Sequence, residues 1–145
     1  MIVLVEASVL TVGLNGREKV LRELPIRVIT MQSGIEAARS LKTERVDSVI
    51  SNWELEDMAD GGFLKGLRAA KPDIPTIAFV RAGDRAQEIA ARSLGVSAVL
   101  TDEADDDFFR QTVANVLGLK GHVTIKAISP AEDAKSLYEK RRISK

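Results

Sequence analysis

Two hydrophobic periods alternate along this chain. Short β-branched runs occur at residues 2–5, 27–30, 47–51, 76–80 and 97–101, each about five residues, an ordinary strand length. Their apolar positions are mostly continuous, the pattern of strands buried on both faces of a parallel sheet. Between them lie segments with helical spacing. Residues 33–41 bring Ile35, Ala38 and Leu41 onto one face, and residues 62–70 group Phe63, Leu64 and Leu67. Residues 85–94 offer Ile89, Ala90 and Leu94, and residues 104–117 offer Phe108, Phe109, Val113, Val116 and Leu117. The first helix is interrupted by Gly13, Asn15 and Gly16 and becomes regular only over 17–24, before Pro25 closes it.

Strand and helix thus alternate five times. That order predicts an α/β fold, a five-stranded parallel sheet sandwiched by helices, in residues 1–118. A further strand–helix extension is expected over 119–145: Val123, Ile125 and Ala127 alternate, and Ser129-Pro130-Ala131-Glu132 forms a capping box with proline at the first helical position. Reactive groups in open parallel sheets sit at the carboxyl ends of the strands. With the first strand at 2–5, the positions to inspect are Glu6, Ala7, Ser51, Asn52, Val80, Arg81, Thr101 and Asp102.

Composition narrows the chemistry. The chain has 145 residues, 45% apolar and 29% charged, enough for one domain with a core. Formal net charge is zero, which argues against general nucleic-acid or membrane-surface binding. The balance conceals a basic end: residues 120–145 carry seven Lys/Arg against three Asp/Glu. There is no cysteine, so thiolate metal sites, disulfides and cysteine nucleophiles are excluded. His122 is the single histidine and reads as structural. No basic leader precedes the opening apolar stretch and no run is long enough to cross a bilayer, so cytoplasm is the expected compartment. No glycine-rich phosphate loop follows the first strand, which disfavours a nucleotide-dependent enzyme on this fold.

The stretch 47–64 reads DSVISNWELEDMADGGFL. With Gln32-Ser33-Gly34 leading into Glu36-Ala37, Pro75 before the fourth strand, Gly83-Asp84 after it and Gly95 before the fifth, it resembles the receiver (CheY-like) domains of response regulators. The resemblance covers residues 1–118; Ala59 looks like a one-residue insertion before Asp60-Gly61.

That family moves a phosphoryl group onto an aspartate. It uses magnesium held by the aspartate and an acidic pair, with a hydroxyl and a lysine receiving the phosphate oxygens. Magnesium requires near-octahedral oxygen ligation, and phosphoryl transfer is largely positioning and charge neutralisation. In this chain the resemblance aligns the acidic pair with Glu6 and Ala7, the nucleophile with Asn52, the hydroxyl with Val80, the lysine with Asp102, the following proline with Glu103 and the aromatic switch with Val99. It implies a degenerate phosphorylation pocket, no metal, no cofactor, no catalysis and a pseudo-receiver acting through protein–protein contact in signal transduction.

Arg81 is expected either to pair with Glu6 or Asp102 in the vacated pocket or to point into solvent. The family's usual contact face maps to residues 85–117, with Arg85, Gln87, Glu88, Arg92, Phe108, Phe109 and Arg110 as candidate partner-surface residues. Adjacent Phe108 and Phe109 cannot both face the core. The expected partners are other signalling proteins, with a homodimer left open. Three alternatives stay open: a small-ligand sensor using the pocket, a metal site of Glu6, Asp102 and the Asn52 amide oxygen, and phosphorylation at Asp57 or Asp60.

Overall fold

The computed structural model describes residues 6–118. The expected strand at 2–5, the strand–helix extension at 119–145 and His122 lie outside the described residues. The chain divides into two units, 1–113 and 114–145, and the account below concerns the first, apart from the end of its last helix.

Five strands, β1 (Ala7–Val12), β2 (Ile26–Met31), β3 (Ser48–Asn52), β4 (Thr76–Val80) and β5 (Ala98–Thr101), form one sheet in the order β2-β1-β3-β4-β5. Every neighbouring pair is parallel. Four α-helices connect or follow them: α1 (Gly34–Thr43), α2 (Gly62–Ala70), α3 (Arg85–Leu94) and α4 (Asp106–Leu117). This is the expected parallel α/β architecture. No helix among the described residues is long and apolar enough to cross a membrane.

Local chemistry sets the helix boundaries. Ser33 caps α1, its Oγ accepting from the Glu36 N–H at 3.1 Å, and Asp84 caps α3 by accepting from Gln87 N–H at 3.0 Å. Asp105 accepts from Phe108 N–H at 2.8 Å where α4 begins. The ragged first helix is a 3-10 helix, Arg17–Glu23. It ends at Leu24, whose extended backbone is what a following proline imposes.

The core divides by strand alternation. Leu10, Val12, Val49, Ala78 and Val80 join Ala37, Phe63, Leu64, Leu67 and Ala91 in one buried cluster. The opposite positions, Val9, Ile50, Ile77 and Phe79, are also buried, and Phe79 meets Phe109 of α4 edge to face at 5.0 Å.

The placement of β1 corrects the sequence expectation. It runs from Ala7 to Val12, paired with β2 from Ala7↔Ile26 to Val12↔Met31. Two polar residues hid it. Ser8 and Thr11 are buried within the strand, and the Thr11 hydroxyl lies 3.5 Å from both the Ile29 carbonyl and Thr30 Oγ1. A strand interrupted by Ser and Thr scored as less apolar than the run before it. The consequence falls on the site: Glu6 and Ala7 stand at the amino end of β1, and Gly13 and Leu14 follow its carboxyl end.

Candidate functional site

The carboxyl ends of β1, β3, β4 and β5 present Val12, Asn52, Val80 and Thr101. Beyond them opens a cleft of about 460 Å³ lined by Leu14, Arg17, Asn52, Val80, Arg81 and Asp102, with Glu54 and Gln87 among its other walls. The structure therefore brings together Asn52, Val80, Arg81 and Asp102. Glu6 and Ala7 are not part of it. Glu6 is exposed at the opposite end of the sheet, where its carbonyl accepts from Arg45 at 3.4 Å. Ala7 opens β1 beside Ile26. The register of β1 is the reason, and the metal arrangement of Glu6, Asp102 and Asn52 is not assembled.

The first residue after β1 adopts a conformation that favours glycine. Gly13 sits at φ +66°, where non-glycine residues are strained, and a Cβ there would lie 2.5 Å from Leu55 Cδ2. Its N–H donates to the Met31 carbonyl at 2.9 Å, and its carbonyl accepts from Asn52 Nδ2 at 2.9 Å. The Asn52 amide thus directs a donor at the backbone oxygen beside it.

The magnesium that receiver domains hold does not fit these residues. A glycine and Leu14 follow β1, Asn52, which the resemblance aligns with the nucleophile, turns an amide N–H donor toward the Gly13 carbonyl, and Val80 has no hydroxyl. Among the described residues no three His, Cys, Asp or Glu side chains cluster to hold a metal.

Asp102 is used structurally: its Oδ1 accepts from the Ala82 N–H at 3.0 Å and ties down the turn after β4. Arg81 is exposed, its N–H donates to Gln87 Oε1 at 2.9 Å, and among the described residues it forms no ion pair with Glu6 or Asp102. The expected Arg81–carboxylate pair is replaced by its solvent-facing alternative.

Arg17 is the pocket residue that sequence reasoning missed. Its guanidinium stands 4.6 Å over the Phe79 ring and 6.0 Å from that of Phe109, and its Nη2 donates to the Ala104 carbonyl at 2.8 Å. A cation five residues beyond Val12 is a visible signal only once β1 is known to end there. Val99, at the switch position, is half-buried against the core cluster.

Trp53 follows Asn52 and is 2% exposed, yet its indole N–H has no partner among the described residues. Gly61, at φ +72°, lets the chain pass over it: a Cβ there would lie 2.3 Å from the ring.

The candidate partner face is divided. Arg85 and Arg92 are exposed, and Arg92 pairs with Glu88 at 3.0 Å one turn away. Phe108 is 54% exposed. Phe109 is fully buried, which removes it from the surface: α4 turns that side of the helix onto Phe79. Gln87 faces the cleft through its bond with Arg81. Arg110 is held by Asp107 and by Glu23, the latter at 3.5 Å.

The alternative phosphorylation positions, Asp57 and Asp60, are both exposed. Asp57 accepts from the Gly34 and Ile35 N–H groups, each at 2.9 Å, at the start of α1, and these two bonds hold its carboxyl below the usual range. Asp60 has a left-handed backbone and lies 3.7 Å from Lys65.

No protein-family model matches the chain. Over 90 residues, 62% of its length, it is 31% identical to the transcriptional regulatory protein GlrR of Escherichia coli K12, and equally to QseF of Escherichia coli O157:H7. The matched part is 20% of the length of each. The signal receiver domain of an HD domain-containing protein from Pseudomonas fluorescens Pf-5 superposes with TM-score 0.71 at 20% identity, over 81% of this chain and 99% of that one. A response regulator receiver domain from Clostridium thermocellum gives 0.69 at 18% identity, over 81% and 98%. The fold is that of the CheY-like response-regulator receiver domains, and the chain resembles that class in both sequence and structure.

Proposed function

We propose that this chain is a receiver-fold adaptor that signals through protein contact without being phosphorylated. The observation that carries this reading is the Asn52 amide donating to the Gly13 carbonyl at 2.9 Å, at a glycine whose left-handed backbone is strained for a side chain. An amide nitrogen whose lone pair is delocalised into its carbonyl is not a phosphoryl acceptor, and an N–H donor does not attract a cation. Val80 and Asp102 complete the argument: one offers no hydroxyl, and the other places negative charge where a phosphoryl group needs neutralising.

The partners in this reading are other signalling proteins in the cytoplasm, met through the exposed Arg85, Arg92 and Phe108. Incubation with acetyl phosphate, and separately with beryllofluoride, in the presence of magnesium tests it. No mass adduct and no shift of amide resonances around Asn52 are expected. A stoichiometric adduct overturns the reading.

One observation favours a second reading, a small-molecule sensor. The cleft volume of about 460 Å³ lies within the range of about 300–1,000 Å³ usual for ligand sites. A thermal-shift screen separates the two: a metabolite that raises Tm in the parent but not in an Arg81→Ala variant favours the sensor.

A further inference from the structure

A second concavity lies between α1 and α2, and none of its lining residues lines the first. Its volume is about 250 Å³, and Ala38, Leu41, Met58, Phe63 and Leu67 supply an almost wholly apolar lining. The charged side chains in that lining are Lys42 and Lys71, both exposed, with no carboxylate among the described residues that line it. Neither lysine, nor the exposed Arg39 on α1, forms an ion pair among the described residues.

Gly66 opens the groove. It lies in the middle of α2 with no left-handed backbone, and a Cβ added to it would meet nothing within 4 Å. A mid-helix glycine weakens a helix relative to alanine. Among the described residues no close approach or turn requires it, and its missing side chain leaves space on the outer face of α2. Ile35, 50% exposed, stands at helical spacing from Ala38 and Lys42 and continues the apolar strip along α1.

We propose that this groove docks an amphipathic helix of a partner protein that inserts bulky apolar side chains over Gly66 and carries acidic residues opposite Lys42 and Lys71. A helix in a groove reads as apolar anchors at i and i+3 or i+4, and the groove's volume suits one or two such anchors. The lysines select the sign of the flanking charge. A second copy of this face is disfavoured, because among the described residues the groove's lining supplies no carboxylate to meet the lysines. A lipid surface is disfavoured by shape: the apolar strip is recessed between two helices, whereas membrane-surface helices present theirs outward. The inference rests on the adaptor reading for the existence of a protein partner, but it concerns a different face from α3 and α4 and does not depend on the state of Asn52.

The test is selection from a display library of short helix-forming peptides, panned against the full chain and counter-screened against Gly66→Leu. Leucine at that position has open space and a better helix propensity, so Tm should hold or rise while the groove is filled. Selected peptides are expected to carry an apolar pair one turn apart with flanking Glu or Asp. They should lose about tenfold or more in affinity, or 1.4 kcal/mol, for both Gly66→Leu and the double variant Lys42→Glu/Lys71→Glu. They should perturb amide resonances of α1 and α2. Peptides without acidic bias, peptides that bind Gly66→Leu equally, perturbations confined to α3 and α4, or lysine-dependent sedimentation with phosphatidylserine vesicles would each overturn the proposal. The phosphodonor assay judges the adaptor reading separately, since a phosphoryl adduct would leave peptide selectivity for this groove untouched.

Discussion

The two ends of the sheet treat charge in opposite ways. At the amino end, the Asp47 carboxylate accepts twice through Oδ2, from the Ser8 N–H at 2.7 Å and from Arg45 at 2.8 Å. The Arg45 hydrogen bond, then the Ser8 one, hold its carboxyl below the usual range. At the carboxyl end, where a receiver would gather its carboxylates, a neutral amide donates to a backbone carbonyl and a cation stacks on an aromatic ring. The contrast is one of acceptors and donors: a carboxylate takes N–H bonds at the amino end, and side-chain N–H groups give them at the carboxyl end. Asn52 and Arg17 each donate there to a backbone carbonyl, that of Gly13 and that of Ala104.

The largest effect is expected beneath that arrangement. Trp53→Ala should cost about 3–5 kcal/mol in denaturant unfolding, the range for emptying a buried aromatic site. Trp53→Phe should cost much less, because the indole N–H it removes has no partner. Equal losses for the two would show that the indole nitrogen is bonded after all.

Asn52→Asp should come next, at about 1–3 kcal/mol near neutral pH, because it sets an acceptor against the Gly13 carbonyl and removes that carbonyl's donor. The loss should shrink as the pH falls and the new carboxyl becomes protonated, able to donate in its turn. No phosphoryl adduct should form, since the hydroxyl, lysine and acidic pair are still missing. An adduct on this single variant would erase the contrast between the two ends.

Arg17→Ala should cost about 1–2 kcal/mol, from one cation–π contact and one hydrogen bond. Hydrogen exchange should quicken around Ala104 and the start of α4, with the amino end unchanged.

The smallest effect is expected at the amino end. The folded Asp47 carboxyl titrates below its unfolded value of about 3.9, so the unfolded chain binds more protons in that window and stability falls as the pH drops through it. Asp47→Asn should therefore be slightly less stable than the parent at neutral pH and converge with it in acid. Asp57, held down by the Gly34 and Ile35 N–H groups, should behave in the same direction. A gap that widens in acid would contradict both assignments.

Much of this molecule was determined by sequence alone. The limits of β4, α2 and α3 are those predicted from apolar periodicity, and β2, β3, β5 and α1 differ from expectation by one or two residues at an end. These elements are legible because their burial is local in cause: continuous β-branched runs, a serine or aspartate cap, a glycine stop. Asn52, Val80 and Asp102 were legible for the same reason, each standing at or just beyond the end of such a strand. Tertiary structure decided the rest. Which of two adjacent runs pairs as β1 is a question of register against β2 and β3, and the chosen run holds Ser8 and Thr11, whose burial is compensated only by partners supplied across the sheet. Glu6 was therefore placed at the wrong end, and Arg17 was overlooked. The same logic separates Phe108 from Phe109. Their sequence forces one of them outward, but only the seating of α4 against Phe79 selects which ring becomes core.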